Sequence, residues 1–308
     1  MTIDPSMKKI LEFMNSLKLP DFSKISIQEL RKMENQNMGQ SETKPVYSTT
    51  DYYLKHDDSS IKMRFYRIDE KSDGLIMYFH GGGFVFGSVE LSDPIAREIA
   101  NFSKSNVLSV DYRLAPENKF PAAVNDTYES FLWAYSNHQK LGISREKIVI
   151  AGDSAGANLA AAAALKLKDN NKQLPAMQVL FYPVLGPDLA SESYREFGEN
   201  HLLTRKYMEF FANSYMKDIQ DILNPYFSPL LHPNPEGLPE ALIITAEYDP
   251  LRDQGESYVS KLHDAGVEAT GIRALGLIHG FISYTSISKS AENIVKMVWS
   301  SVGSKLQS

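Results

Sequence analysis

Ser154, Asp249 and His279 follow one another down the chain, each in a setting that suits nucleophilic acyl transfer. Ser154 is the centre of Gly152-Asp153-Ser154-Ala155-Gly156, between a β-branched run over 147–151 and an alanine-rich stretch that reaches Lys168 without glycine or proline. The first reads as a buried strand and the second as a good helix former. A strand that turns sharply into a helix at G-x-S-x-G lifts its serine out of the sheet. Glycines are needed there because side chains would strike the neighbouring strand and helix. A serine hydroxyl is a poor nucleophile near neutral pH, so a base must take its proton and an acid must orient the base.

In hydrolases with such an elbow the order along the chain is serine, carboxylate, histidine. Four histidines follow Ser154: His201, His232, His263 and His279. His263 lies in an amphipathic helical stretch over 257–264, where a solvated surface histidine is the plain expectation. His279 lies in a glycine-flanked segment, Gly276-Leu277-Ile278-His279-Gly280-Phe281, after a predicted strand from Glu268 to Ala274. A loop at a strand end is where a base can reach the elbow, so His279 is the candidate. For the acid, the buried-strand run 241–246 leads directly into Glu247-Tyr248-Asp249-Pro250. Asp249 is then at the carboxyl end of a strand, the edge at which α/β sites form, and Pro250 stops the strand. Glu247, inside the strand end, and Asp253, suited to capping the next helix or pairing with Arg252, are its competitors.

Acyl transfer also needs donors for the charge that develops on the carbonyl oxygen, and backbone amides serve because their direction is fixed. The strand run 75–79 leads into His80-Gly81-Gly82-Gly83-Phe84. Three successive glycines make an open backbone; on their own they would also suit a plain flexible turn. With an elbow about seventy residues later, Gly82 and Gly83 become the expected oxyanion donors, Gly81 a further candidate. The amide of Ala155, at the start of a helix, completes the set.

Five motifs stand in order: HGGGF at 80–84, DYRLAPE at 111–117, GDSAGAN at 152–158, AEYDPLRD at 246–253 and HGF at 279–281. Together they resemble the hormone-sensitive-lipase-like branch of the α/β-hydrolases, mostly bacterial and archaeal carboxylesterases with relatives among arylacetamide deacetylases. The segments 199–204 and 224–230 also resemble family sequence around its cap. The resemblance implies Ser154 as nucleophile, Asp249 as orienting acid and His279 as general base, and supports Gly82, Gly83 and Ala155 as oxyanion donors. Ala157 replaces a glycine frequent in the family, a change of one methyl group in a first helical turn. Asp111, Arg113 and Glu117 match a block expected to form a buried charge network bracing loops near the site.

The elements that must position these groups alternate. Strands are predicted near 47–55, 61–68, 75–79, 106–110, 147–151, 177–182, 241–246 and 268–274, and helices near 91–104, 122–138, 155–168, 251–265 and 286–302. Alternation requires crossovers and hence a mostly parallel sheet, with the first hairpin-like strands antiparallel. The expected fold class is α/β: an α/β-hydrolase fold, its mostly parallel central sheet flanked by helices, with a small helical cap. The core covers 46–184 and 223–308. One cap segment is 1–45, where Met7, Ile10, Leu11, Met14 and Leu17 share a helical face; the other is 185–222, with an aromatic amphipathic stretch over 207–216. Folding of the first helix over the active site is preferred to its lying on a membrane, because the family uses this segment as part of a cap.

The 308 residues suit one large domain with a small appendage. A net charge of −6 does not suggest nucleic acid, and the absence of cysteine rules out disulfides and thiolate metal sites. No phosphate-binding Gly-Lys-Ser loop or close metal-ligand spacing is present, and the expected chemistry needs no cofactor. Charged residues interrupt the first apolar face, so neither a signal segment nor stable membrane insertion is expected, and the location is read as cytoplasmic. The expected partner is a small-molecule ester, with a homodimer compatible with the family. Phe84, Phe86, Leu203 and Ile278 are the candidate pocket residues, and short to medium acyl chains the expected substrates. Amide or arylamide hydrolysis by the same triad is the alternative. A non-catalytic small-molecule receptor on this fold is disfavoured because His279 is present.

Overall fold

The apolar runs form a single sheet whose strand ends converge on one edge. A computed structural model describes residues 2–17, 25–36, 43–56, 59–188 and 190–307. Among these, the strands are β1 (Ser48–His56), β2 (Ser59–Arg67), β3 (Leu75–Phe79), β4 (Asn106–Asp111), β5 (Ile148–Asp153), β6 (Met177–Phe181), β7 (Glu240–Tyr248) and β8 (Ala269–Ile278). Their order is β1-β2-β4-β3-β5-β6-β7-β8. β1, β2 and β4 pair antiparallel; from β4 onward through β8 every pair is parallel.

The helices are α1 (Pro5–Ser16), α2 (Ile27–Gln36), α3 (Asp93–Ser103), α4 (Ala122–Ser136), α5 (His138–Leu141), α6 (Ala155–Asp169), α7 (Glu192–Phe197), α8 (Arg205–Tyr215), α9 (Arg252–Asp264) and α10 (Lys289–Gln307). Interior parallel strands are covered on both faces, which is why β3, β4 and β5 read as nearly continuous apolar runs. The period of two still sorts their side chains. Leu75, Met77 and Phe79 of β3 join a core with Phe131 of α4, Leu159 of α6 and Tyr258 of α9. Ile76 and Tyr78 join the opposite core with Ile99 of α3 and Trp299 of α10. Met7 and Leu11 of α1 are buried in that second core, while Phe13 and Leu17 are exposed. None of the helices among the described residues is long and apolar enough to cross a membrane.

Two departures from the sequence reading concern the site. β8 runs four residues beyond Ala274, because the pairing continues past an irregularity: Ala246 faces Ala274, and Tyr248 then faces Ile278. Gly276, read as loop, is the left-handed residue (φ +76°) that lets the longer strand bulge and rejoin its partner. The second departure is in the DYRLAPE block, which is three separate braces instead of one buried network. Asp111 accepts from the Val89 amide at 3.3 Å, and Arg113 forks onto the fully buried Asp126, with a closest contact of 2.6 Å. Glu117 is exposed and pairs with Arg31 of α2 at 3.0 Å.

Inserted between β6 and β7 are α7 and α8. Asn158, in the first turn of α6, donates to the Val184 carbonyl at 2.8 Å and to that of Phe227 at 2.9 Å. One amide thus holds together the two roots of the insertion, which explains the asparagine of the GDSAGAN motif. At the other end of the chain, Asp4 caps α1 through the amides of Ser6 (2.9 Å) and Met7 (3.2 Å) and accepts from the Ser290 hydroxyl at 2.8 Å. Parts of the segment 1–45 expected to form the first cap piece, 18–24 and 37–42 among them, lie outside the described residues.

Candidate active site

Parallel strands deliver their carboxyl ends to one edge, and β3, β5, β7 and β8 release there the glycine run, Ser154, Asp249 and His279 respectively. Phe79 pairs with Gly152, so the glycine run leaves the sheet beside the elbow. Ser154 has φ +53° and ψ −117°, a conformation that side chains resist and that the surrounding structure must impose. The amide of Ser154 donates to the Phe181 carbonyl at 2.9 Å. A Cβ on Gly156 would run into the Phe79 carbonyl, and one on Gly152 into the carbonyl of Gly156. Both glycines are therefore dictated by close backbone approach.

His279 stands directly off the end of β8. Its Nε2 is 3.0 Å from Ser154 Oγ and its Nδ1 is 2.8 Å from Asp249 Oδ2. Asp249 is fully buried, and its other oxygen accepts from the Leu251 amide at 2.8 Å. That bond leaves one oxygen for the imidazole and fixes the carboxylate plane. The competitors are engaged elsewhere. Glu247 accepts from the Gly276 amide at 2.7 Å. Asp253 pairs with Arg252 at 2.8 Å and accepts from the Ser193 amide at 2.8 Å, tying α9 to α7. Of the other histidines, His201 stacks on Tyr248, His232 pairs with Asp169 at 3.1 Å and His263 is exposed.

The glycine run differs from the expectation in one respect. The Gly81 amide donates to Asp153 Oδ1 at 2.8 Å, so it is already spent. The amides of Gly82, Gly83 and Ala155 have no acceptor among the described residues. Gly82 (φ +114°) and Gly83 (φ +61°) adopt backbone that only glycine takes freely. A Cβ at Gly83 would also enter the ring of Phe211.

Three groups that the sequence reading passed over lie against this centre. Asp153 is buried, with the Tyr78 hydroxyl at 2.6 Å and that of Tyr182 at 3.5 Å. Burial raises its carboxyl above the ordinary value, against the hydrogen bond from Tyr78, which lowers it. The Tyr182 ring packs on the His279 imidazole with centroids 4.6 Å apart, and its backbone is in the left-handed region at φ +35°. His80 is buried against Tyr112, and burial pushes its imidazole down to about 4.

Above Ser154 and His279 opens a cavity of about 800 Å³. Its apolar wall includes Met14 and Leu17 of the N-terminal segment, Leu91, Leu202, Leu203 and Phe211. Of the expected pocket residues, Leu203 lines it; the others do not. Phe84 stacks face to face on Tyr215, centroids 3.9 Å apart, and Phe86 packs against Phe210 and Phe211. Ile278 is fully buried in the core on the α10 side. Among the described residues no group of three or more histidine, aspartate or glutamate side chains is placed to hold a metal ion.

Comparison with known proteins agrees with this architecture. A family model described as the alpha/beta hydrolase fold matches residues 76–283. The chain is 39% identical over 292 residues to an arylesterase of Saccharolobus solfataricus, covering 94% of this chain and 95% of that one. It is 33% identical to an ethyl acetate hydrolase of Pseudomonas putida, with 79% and 78% covered. A solved arylesterase structure superimposes with a TM-score of 0.92 at 36% identity, covering 99% of both chains. The chain belongs to the hormone-sensitive-lipase-like family of α/β-hydrolases. It is an enzyme of the carboxylic ester hydrolase class.

Proposed function

We propose that this chain hydrolyses short- to medium-chain carboxylic esters through an acyl-enzyme on Ser154, with His279 as general base and Asp249 as orienting acid. The observation that carries the reading is the relay of contacts Ser154–His279–Asp249, at 3.0 and 2.8 Å, beside three backbone amides without acceptors among the described residues. Ser154 Oγ attacks the ester carbonyl carbon as His279 Nε2 takes its proton. The carbonyl oxygen, now carrying the negative charge, is met by the amides of Gly82, Gly83 and Ala155. Collapse of the intermediate breaks the bond to the alcohol oxygen, which receives the proton from Nε2. Water then repeats the sequence on the acyl-enzyme and releases the acid and free Ser154. Asp249 holds Nδ1 as the donor, which keeps Nε2 free to accept.

Substrate size follows from the cavity. Its volume lies within the ~300–1,000 Å³ typical of small-molecule clefts. Met14, Leu17, Leu203 and Phe211 wall it with apolar surface contributed by the N-terminal segment and by the β6–β7 insertion. These two segments, 1–45 and 185–222, act as the cap, and the remainder of the chain as the catalytic core. The test is a hydrolysis profile against nitrophenyl esters of graded acyl length, with arylamides alongside and Ser154→Ala as control. Turnover highest on acyl chains of about two to eight carbons, and absent from the control, is expected. A preference for long chains or for arylamides would overturn the substrate assignment.

A further inference from the structure

We propose that Asp153 is a positioning residue for the oxyanion loop: its carboxylate holds the Gly81 amide and so aims the amides of Gly82 and Gly83 at the space above Ser154. The inference rests on the acyl-transfer reading above and adds a residue to it.

Asp153 precedes the nucleophile, at the end of β5; its side chain reaches the Gly81 amide of the glycine run and lines the cavity beside Ser154 and His279. There it is buried and has no cationic partner among the described residues. A carboxylate so placed is costly unless donors satisfy it. They come from separate strand ends: Tyr78 at the end of β3 (2.6 Å), Gly81 just past it (2.8 Å) and, more distantly, Tyr182 past β6 (3.5 Å).

The geometry of the glycine run gives this arrangement its consequence. Peptide planes are rigid, so fixing the plane that carries the Gly81 amide leaves only the torsions at Gly81 and Gly82 to set the next two planes. Three glycines in succession have the most freedom to wander, and the positive φ of Gly82 and Gly83 is not self-enforcing. On the far side, the turn is closed by the Gly82 carbonyl, which accepts from the amides of Val85 and Phe86 at 3.0 and 2.9 Å. Asp153 supplies an anchor on the near side, holding the Gly81 amide. It acts beside the Tyr112 hydroxyl, which donates to the His80 carbonyl of the same peptide plane at 2.7 Å, and His80 Nδ1, which lies 2.7 Å from the Gly81 carbonyl. Donors pre-aimed at the developing charge are what such a hole contributes to catalysis, so a loosened loop costs turnover more than binding.

The experiment compares Asp153→Ala, Asp153→Asn and Tyr78→Phe with wild type on a short nitrophenyl ester, with rates expressed per serine titrated by a phosphonate. The second readout is the inhibition constant of a trifluoromethyl ketone, whose adduct with Ser154 places an oxyanion in the hole. For Asp153→Ala, kcat is expected to fall roughly 10- to 100-fold, below the ~100- to 1,000-fold cost of deleting a donor outright, with KM held within about twofold. The ketone should weaken by the same factor. Asp153→Asn should recover most of the loss, because its amide oxygen accepts from the same two donors. Tyr78→Phe should show a smaller loss, again equal in both readouts. A purely structural role would lower the melting temperature and the titrated fraction while leaving turnover per titrated serine unchanged, and that result overturns the proposal. So does a fall in kcat without a matching loss of ketone affinity, or an Asp153→Asn as impaired as the alanine variant. If Asp153→Ala does not fold, Tyr78→Phe decides, and wild-type values in both readouts sink the idea. Residual turnover in Ser154→Ala would instead refute the acyl-enzyme reading itself, so the two failures are distinguishable.

Discussion

His279 Nε2 and Ser154 Oγ lie 3.0 Å apart, although 125 residues separate them in the chain. The contact exists because β5 and β8 run parallel in one sheet and end at the same edge. Ser154→Ala removes one oxygen from a turn held by backbone contacts, so the fold should persist. Turnover should fall by several orders of magnitude, the usual result of removing a triad nucleophile. Steady-state rates on a nitrophenyl butyrate, together with a melting curve, check both halves; more than about a hundredth of wild-type activity would exclude Ser154 as the nucleophile.

The two carboxylates after β7 make a sharper comparison. Asp249→Asn keeps the shape of the side chain but presents Nδ1 with the wrong partner, and kcat should drop by roughly 10⁴ with little change in stability. Asp253→Asn weakens the link to Arg252 and to the Ser193 amide. That change should cost about 0.5–2 kcal/mol of stability and leave kcat near wild type. Measuring both on one ester assigns the acid: an inactive, folded Asp253→Asn beside an active Asp249→Asn would reverse the assignment.

His80 should make the protein acid-sensitive. Burial holds its folded-state pKa near 4, below the ordinary 6.5, so the unfolded chain binds the proton more readily. The stability this contributes is complete above about pH 6.5 and is lost as pH falls through 4. At full effect it amounts to about 3 kcal/mol. Denaturant midpoints taken from pH 7 to pH 4 should fall more steeply for wild type than for His80→Gln. Parallel slopes would show that other groups carry the acid response.

Arg31 should act as the clasp of α2. Its guanidinium donates to the carbonyls of Val85 (2.8 Å) and Ala115 (2.7 Å) and pairs with Glu117. Arg31→Ala should loosen α2 locally, speeding amide exchange over 27–36 by about tenfold or more while β3 to β6 remain protected. Because Glu34 of α2 lines the cavity, KM for a hexanoate ester should rise with kcat less affected. Unchanged exchange in α2 would mean that other contacts hold it.

The sequence alone was enough for the eight strands and the longer helices, though not for α2, α5 or α7, and for the order in which Ser154, Asp249 and His279 stand along the chain. Strand runs of period two and helices with long apolar faces are written in nearest neighbours, and so are G-x-S-x-G between strand and helix and Asp249 after an apolar run. What lies opposite whom is not local, and it decided the rest. The Gly81 amide remains a further candidate donor in the sequence until β3 and β5 pair and bring Asp153 against it. Phe84 and Phe86 sit in the right motif for a pocket, but their rings turn toward α8. It is Phe211 of that helix, brought in by an insertion more than a hundred residues later, that covers the site. β8 extends past Gly276 only because a bulged pairing with β7 absorbs the left-handed residue. In each case the deciding force is a hydrogen bond or a packed ring between segments distant in the chain, which only the closed sheet and its insertions bring together.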